Sequence, residues 1–117
     1  MEQLIKTIFS LSEEIRYIAI YTDGKLISSE RKELEHASSS ESDKYEELIV
    51  NPTLLKLLTQ RGNIDCGGTR YVLIRYGNFF EFVQPTEKGH LSVGIQLTAD
   101  PMKIIPMIND AVGKYGL

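Results

Sequence analysis

Cysteine is nearly absent from this chain of 117 residues: Cys66 stands alone. No intrachain disulfide can form, so a reducing compartment is the expected setting. Long apolar runs are missing as well. No stretch approaches the roughly 20 consecutive apolar residues that a membrane helix requires, and the opening segment MEQLIKTIFS lacks the basic start and apolar run of a secretory signal. A cytoplasmic location with no membrane partner is expected. Positive charge is not in excess, with 13 basic residues against 16 acidic ones and a net charge of −3. That balance argues against a nucleic-acid surface.

The patterns of catalysis and cofactor binding are also missing. His36, Cys66 and His90 lack the spacing of metal ligands, and the acidic residues do not alternate as in a calcium loop. Gly67-Gly68 precede a strand-like run rather than a helix, so they do not cradle a phosphate. They suit a turn through positive φ. Cys66 follows Asp65, which opposes ionisation of a thiol, and no motif joins it to either histidine. It reads as a small, half-buried turn residue rather than a nucleophile. Carboxylate pairs such as Glu13-Glu14 and Glu46-Glu47 are adjacent on helices, face apart and are expected in water. No catalytic residue, metal site or cofactor is expected, and the chain reads as a non-enzyme.

What is present is a regular succession of amphipathic segments. Leu4, Ile5, Ile8, Phe9 and Leu11 form a helical stripe. RYIAIYTDGKLISSE places Asp23-Gly24 between two β-rich runs, which predicts paired strands over 16–21 and 25–30. Residues 30–47 hold seven acidic side chains against three basic ones, and 30–42 read as a solvated polar connector. A middle helix over 43–61 is expected to break or bend at Asn51-Pro52, with Asn51 capping a second part that Gly62 stops. Strands follow over 71–76 and 79–83, joined at Gly77-Asn78, and then HLSVGIQL. Asp100-Pro101 caps a last helix striped by Ile105, Ile108, Val112 and Tyr115.

The hairpins make the five-stranded sheet mainly antiparallel. Strands 71–76 and 79–83 are apolar on both faces, with Val72 and Ile74 opposite Tyr71 and Leu73, so both faces should be covered. The expected architecture is a three-layer α/β sandwich, order α-β-β-α-β-β-β-α, one domain over 1–117. The terminal helices lie on one side of the sheet and the middle helix on the other.

Two regions carry more apolar side chains than a monomer's core needs. The middle helix has Leu48, Leu55 and Leu58 among seven large aliphatic residues, and Tyr71, Leu73 and Arg75 share one strand face. Aromatic residues with arginine are enriched at protein interfaces. These six residues form the candidate interface, and a charge at Leu73 is expected to dissociate a dimer.

The order of elements, and IAIYTDGKLIS as a strand–Asp-Gly–strand hairpin after an opening helix, resemble the roadblock family within the longin and profilin-like group. The family includes the dynein light-chain roadblock proteins and the bacterial gliding regulators. The chain is also similar to short archaeal proteins of no assigned function. The roadblock resemblance implies a non-catalytic homodimer paired through the middle helix and the following strand. It implies a scaffold or regulator for a small Ras-like GTPase or another protein partner. The middle helix departs from the family in its Asn51-Pro52 step and in lacking an alanine-rich face. The alternative reading is a small-molecule sensor, with a pocket between the aromatic strands and the middle helix and the connector 32–42 as a lid.

Overall fold

A computed structural model describes residues 1–31 and 40–117, so most of the expected connector lies outside the described residues. Asp23 and Gly24 both adopt positive φ, 52° and 79°, which is what a two-residue hairpin turn demands. They join β1 (Ile15–Thr22) to β2 (Lys25–Glu30) in antiparallel register, with Thr22 opposite Lys25. Later in the chain β3 (Val72–Arg75), β4 (Phe80–Thr86) and β5 (Gly89–Ile95) form a meander. β5 pairs with β1, so the sheet order is β2-β1-β5-β4-β3 and every pairing is antiparallel. β3 is therefore an edge strand.

Alternation divides the sheet into two unlike faces. Ile18, Ile20, Phe82, Leu91, Val93 and Ile95 pack against α1 (Glu2–Leu11) and α4 (Pro101–Lys114) in one apolar core. Leu4, Ile5 and Ile8 supply the α1 stripe, and Ile104, Ile105, Ile108 and Val112 the α4 stripe. The side chain of Asp100 accepts the Met102 N–H at 3.1 Å and caps α4 as expected. Tyr115, placed on that stripe by the spacing, is instead exposed, and its hydroxyl meets Thr7 Oγ1 at 2.9 Å.

The middle helix covers the second face. Of the break or bend expected at Asn51-Pro52, the break is not found: α2 (Ser40–Tyr45) runs through a π-helical turn (Glu46–Val50) into α3 (Asn51–Asp65). Pro52 has no N–H to return to the preceding turn. The chain responds by widening that turn, so that the Asn51 N–H reaches the Glu46 carbonyl five residues back. Asn51 thus has helical φ and ψ and is not a cap. Nor does Gly62 stop the helix, which continues to Asp65. The Gly62 carbonyl accepts the N–H groups of Cys66 (3.0 Å) and Gly68 (3.1 Å), and a Cβ at Gly62 would stand 3.0 Å from the Gly68 carbonyl carbon. A side chain there would crowd the exit loop, which folds back onto Gly62.

Candidate functional site

The sheet face beneath the middle helix is unusually polar. Tyr17, Glu81, His90 and Ser92 project toward the helix by strand alternation, and Glu47 and Asn51 descend from the π turn and the start of α3. Glu47 is fully buried, 0% exposed, contrary to the expectation that it sits in water. Adjacent helix residues do face apart, but here that turns Glu47 into the sheet and leaves Glu46 at the side.

Glu47 is the acceptor at the centre of a closed network. Its Oε1 accepts from Asn51 Nδ2 at 3.0 Å and lies 2.8 Å from His90 Nε2, and its Oε2 accepts from Ser92 Oγ at 2.6 Å. When Glu47 is ionised it can only accept, and His90 Nε2 is then the donor. The Tyr21 ring stacks on His90 with centroids 5.6 Å apart. Serine and histidine both bond to the carboxylate rather than to one another, and all three are buried. This is not a nucleophile–base relay. Its effect is to fasten the middle helix to β5 through charge-assisted hydrogen bonds.

Beside this network a cavity of about 530 Å³ opens between the middle helix and the 76–79 turn. Arg16, Tyr17, Asp43, Tyr45, Glu46, Tyr76, Phe79 and Glu81 are among its walls. The Tyr76 hydroxyl donates to the Glu46 carboxylate at 2.9 Å and so ties the β3–β4 hairpin to the helix. The Arg16 guanidinium lies 5.1 Å from the Phe79 ring centroid. Gly94 forms part of the neighbouring sheet face, where a Cβ would stand 3.2 Å from side-chain atoms of both Arg16 and Tyr17.

Glu81 is 2% exposed, and its Oε1 has no hydrogen-bond partner among the described residues. Burial pushes its carboxyl well above the ordinary range, and Glu47, Glu46 and Asp43 add to the rise. Burial also raises the Glu46 carboxyl, against the opposing pull of the Tyr76 hydrogen bond. Tyr76 is pushed up to about 12 by burial, then by its bond to Glu46 and the nearby carboxylates. Tyr17 is raised by burial first and then by Glu47, Asp43 and Glu81. Among the described residues, no group of three or more acidic, histidine or cysteine side chains is arranged to hold a metal ion.

The six residues expected at an interface are distributed rather than gathered. Leu48 and Leu58 are exposed on the middle helix, while Leu55 is buried beneath it. Tyr71 and Leu73 pack against the core on the opposite side of the sheet. Arg75 is exposed and spends its guanidinium on the carbonyls of Tyr76 and Gly77. The outward side of the helix adds Ile49, Leu57 and Ile64, with Leu57 61% and Ile64 76% exposed.

Cys66 is a turn residue as expected but exposed rather than half-buried. Gly67 and Gly68 take φ of 77° and 87°. The Arg61 guanidinium bonds Asp65 at 2.6 Å, holding that carboxyl below the usual range, and lies 3.4 Å from the Cys66 Sγ.

Sequence reasoning missed the polar face. The signal was the parity of β4 and β5: Glu81 shares its face with Val83, and His90 and Ser92 share theirs with Gly94. On strands covered from both sides these positions had to be buried.

Together these elements build a five-stranded antiparallel sheet with two terminal helices on one side and one long helix on the other, which is the roadblock fold. The expectation from IAIYTDGKLIS is met at the level of the fold. No family sequence model and no curated protein sequence matches the chain. Among solved structures it is similar to a Roadblock/LC7 domain from Streptomyces avermitilis, at 17% identity, covering 98% of this chain and 96% of that one with a TM-score of 0.70. The gliding protein MglB from Thermus thermophilus is 14% identical, with 94% and 83% covered and a TM-score of 0.69. MglB in a tetrameric arrangement is 10% identical, with 93% and 81% covered and a TM-score of 0.69. No helix among the described residues is long and apolar enough to cross a membrane.

Proposed function

We propose that the protein is a non-catalytic homodimeric scaffold or regulator whose partner is a small Ras-like GTPase. The observation that carries this reading is the outward side of the middle helix. Leu48, Ile49, Leu57, Leu58 and Ile64 stand exposed along it. Apolar side chains concentrated on one exposed helix mark a protein-contact surface. Among the described residues, β3 is an edge strand of the sheet. The roadblock fold supports a regulatory role, and the fold's tetrameric MglB example supports self-assembly. The helix runs on without a break through Asn51-Pro52, so its exposed apolar side chains belong to one element. Light scattering across a range of protein concentrations tests the reading. A mass of twice 13.2 kDa that persists on dilution supports it; a monomer at all concentrations refutes it.

A second reading rests on the cavity between the 76–79 turn and the middle helix, where the aromatic residues Tyr45, Tyr76 and Phe79 meet acidic ones. A concavity of this size suits a small ligand. In this reading the domain is a small-molecule sensor, and thermal stabilisation by metabolites tests it.

A further inference from the structure

We propose that this cavity binds a free organic amine, with the ligand's ammonium group meeting Glu81 and its carbon chain lying against Tyr45, Tyr76 and Phe79. The inference deepens the sensor reading and depends on that reading's pocket; it does not depend on dimer formation.

Three features of the wall converge on this chemistry. The first is an unanswered acceptor: Glu81 lines the cavity, is 2% exposed and has an Oε1 without a partner among the described residues. A buried carboxyl oxygen left unpaired carries the full cost of its lost hydration, and an ammonium donor would satisfy it. The second is the charge of the surroundings. Among the described residues, Asp43, Glu46, Glu47 and Glu81 line the cavity against one base, Arg16, whose guanidinium lies over Phe79. An anionic ligand would meet carboxyls that burial already raises at Glu81 and Glu46 and that neighbouring carboxylates raise further. The third is the ring content. Tyr17, Tyr45, Tyr76 and Phe79 present aromatic surface, which attracts organic cations through the ring quadrupole.

The alternatives fit less well. A metal ion needs converging ligands, and no such group exists among the described residues. The carboxylates are spread around the wall and three of them are already engaged: Glu47 by His90, Ser92 and Asn51, Glu46 by Tyr76, and Asp43 in an interaction of its own. Glu81 is the acid left to receive a ligand's charge, and the rings extend the site along a chain. A diamine or related alkylammonium compound has that shape.

The test is isothermal titration of the full chain with three probes of equal carbon length: putrescine, 1,4-butanediol and succinate. Putrescine should bind, with 1,4-butanediol and succinate weaker by about tenfold or more. Glu81→Gln should weaken putrescine by about tenfold or more. Tyr45→Ala, at the exposed rim, provides a variant that leaves the core alone and should cost about threefold. A peptide carrying one lysine separates a free amine from a side chain presented by a protein, and tighter binding of the peptide than of putrescine overturns the free-amine proposal. Equal binding of butanediol or succinate overturns the charge argument while leaving the pocket reading in place. Unchanged putrescine affinity in both variants overturns the site. Absence of binding by all three probes and by spermidine overturns the proposal and counts against the sensor reading, without touching the dimer.

Discussion

Glu47 and Glu81 sit on the same side of the sheet and have opposite environments, and this difference decides how each should respond to substitution. Glu47 answers three donors, so Glu47→Ala would leave His90, Ser92 and Asn51 without their common acceptor. The expected loss is about 3–5 kcal/mol in urea denaturation; a loss below about 1 kcal/mol would mean that the network does not hold the helix. Glu81 has no such support. Its carboxyl is raised in the folded state, so the folded protein holds that proton more tightly than the unfolded chain does. The resulting stability is fully present below the unfolded value of about 4.3 and is lost as pH rises through the higher folded value. Glu81→Gln removes that dependence. The variant should gain on the parent between pH 4 and pH 8, and thermal melts across that range would show a constant gap if the carboxyl were instead well paired.

At the scale of elements, the middle helix shows how a local rule can be satisfied in an unforeseen way. Proline cannot donate, which the sequence makes plain, but a missing donor can be accommodated by ending the helix or by widening one turn. Widening prevails here. It keeps the helix continuous while Glu47, inside the π turn, and Asn51, just after it, reach the sheet. The helix exit is governed by close approach rather than by propensity. Gly62→Ala would place a Cβ 3.0 Å from the Gly68 carbonyl carbon, backbone that cannot move aside cheaply. A loss of about 1–3 kcal/mol in urea denaturation is expected, and a neutral or stabilising effect would show that the loop 66–69 is free to lift. The aromatic hairpin is tied to the same helix through Tyr76 and Glu46, so helix, hairpin and cavity form one connected unit.

For the whole molecule, the question is which surface meets another chain. Leu73 packs against the main core, so a charge there would disturb the monomer together with any dimer. Leu57 gives the cleaner test because it is 61% exposed. Leu57→Asp should shift the light-scattering mass from dimer toward monomer while the melting temperature extrapolated to low concentration stays within a few degrees. A dimer that survives the substitution would exclude the centre of this helix as the contact. The two proposed activities use different sides of the same helix, the outer side for assembly and the inner side for the cavity. Amine binding and dimerisation can therefore be measured separately.

The sequence by itself determined the element order, the Asp23-Gly24 hairpin, the Asp100 cap, the stripes of α1 and α4 and the placement of the helices on two sides of the sheet. These follow from short-range rules: period 2 or 3.6, two positive-φ positions in a row, and an acceptor just before a helix. Only the tertiary structure decided the fate of Asn51-Pro52, the burial of Glu47 and the union of Glu47, Asn51, His90 and Ser92. The physical reason is distance along the chain. Glu47 meets Ser92 across 45 residues, and neither has a local pattern that announces the other. Glu81 lies between: parity in FFEFV placed it on a covered face, but that it lines a cavity with one oxygen unpaired depends on where the helix comes to rest.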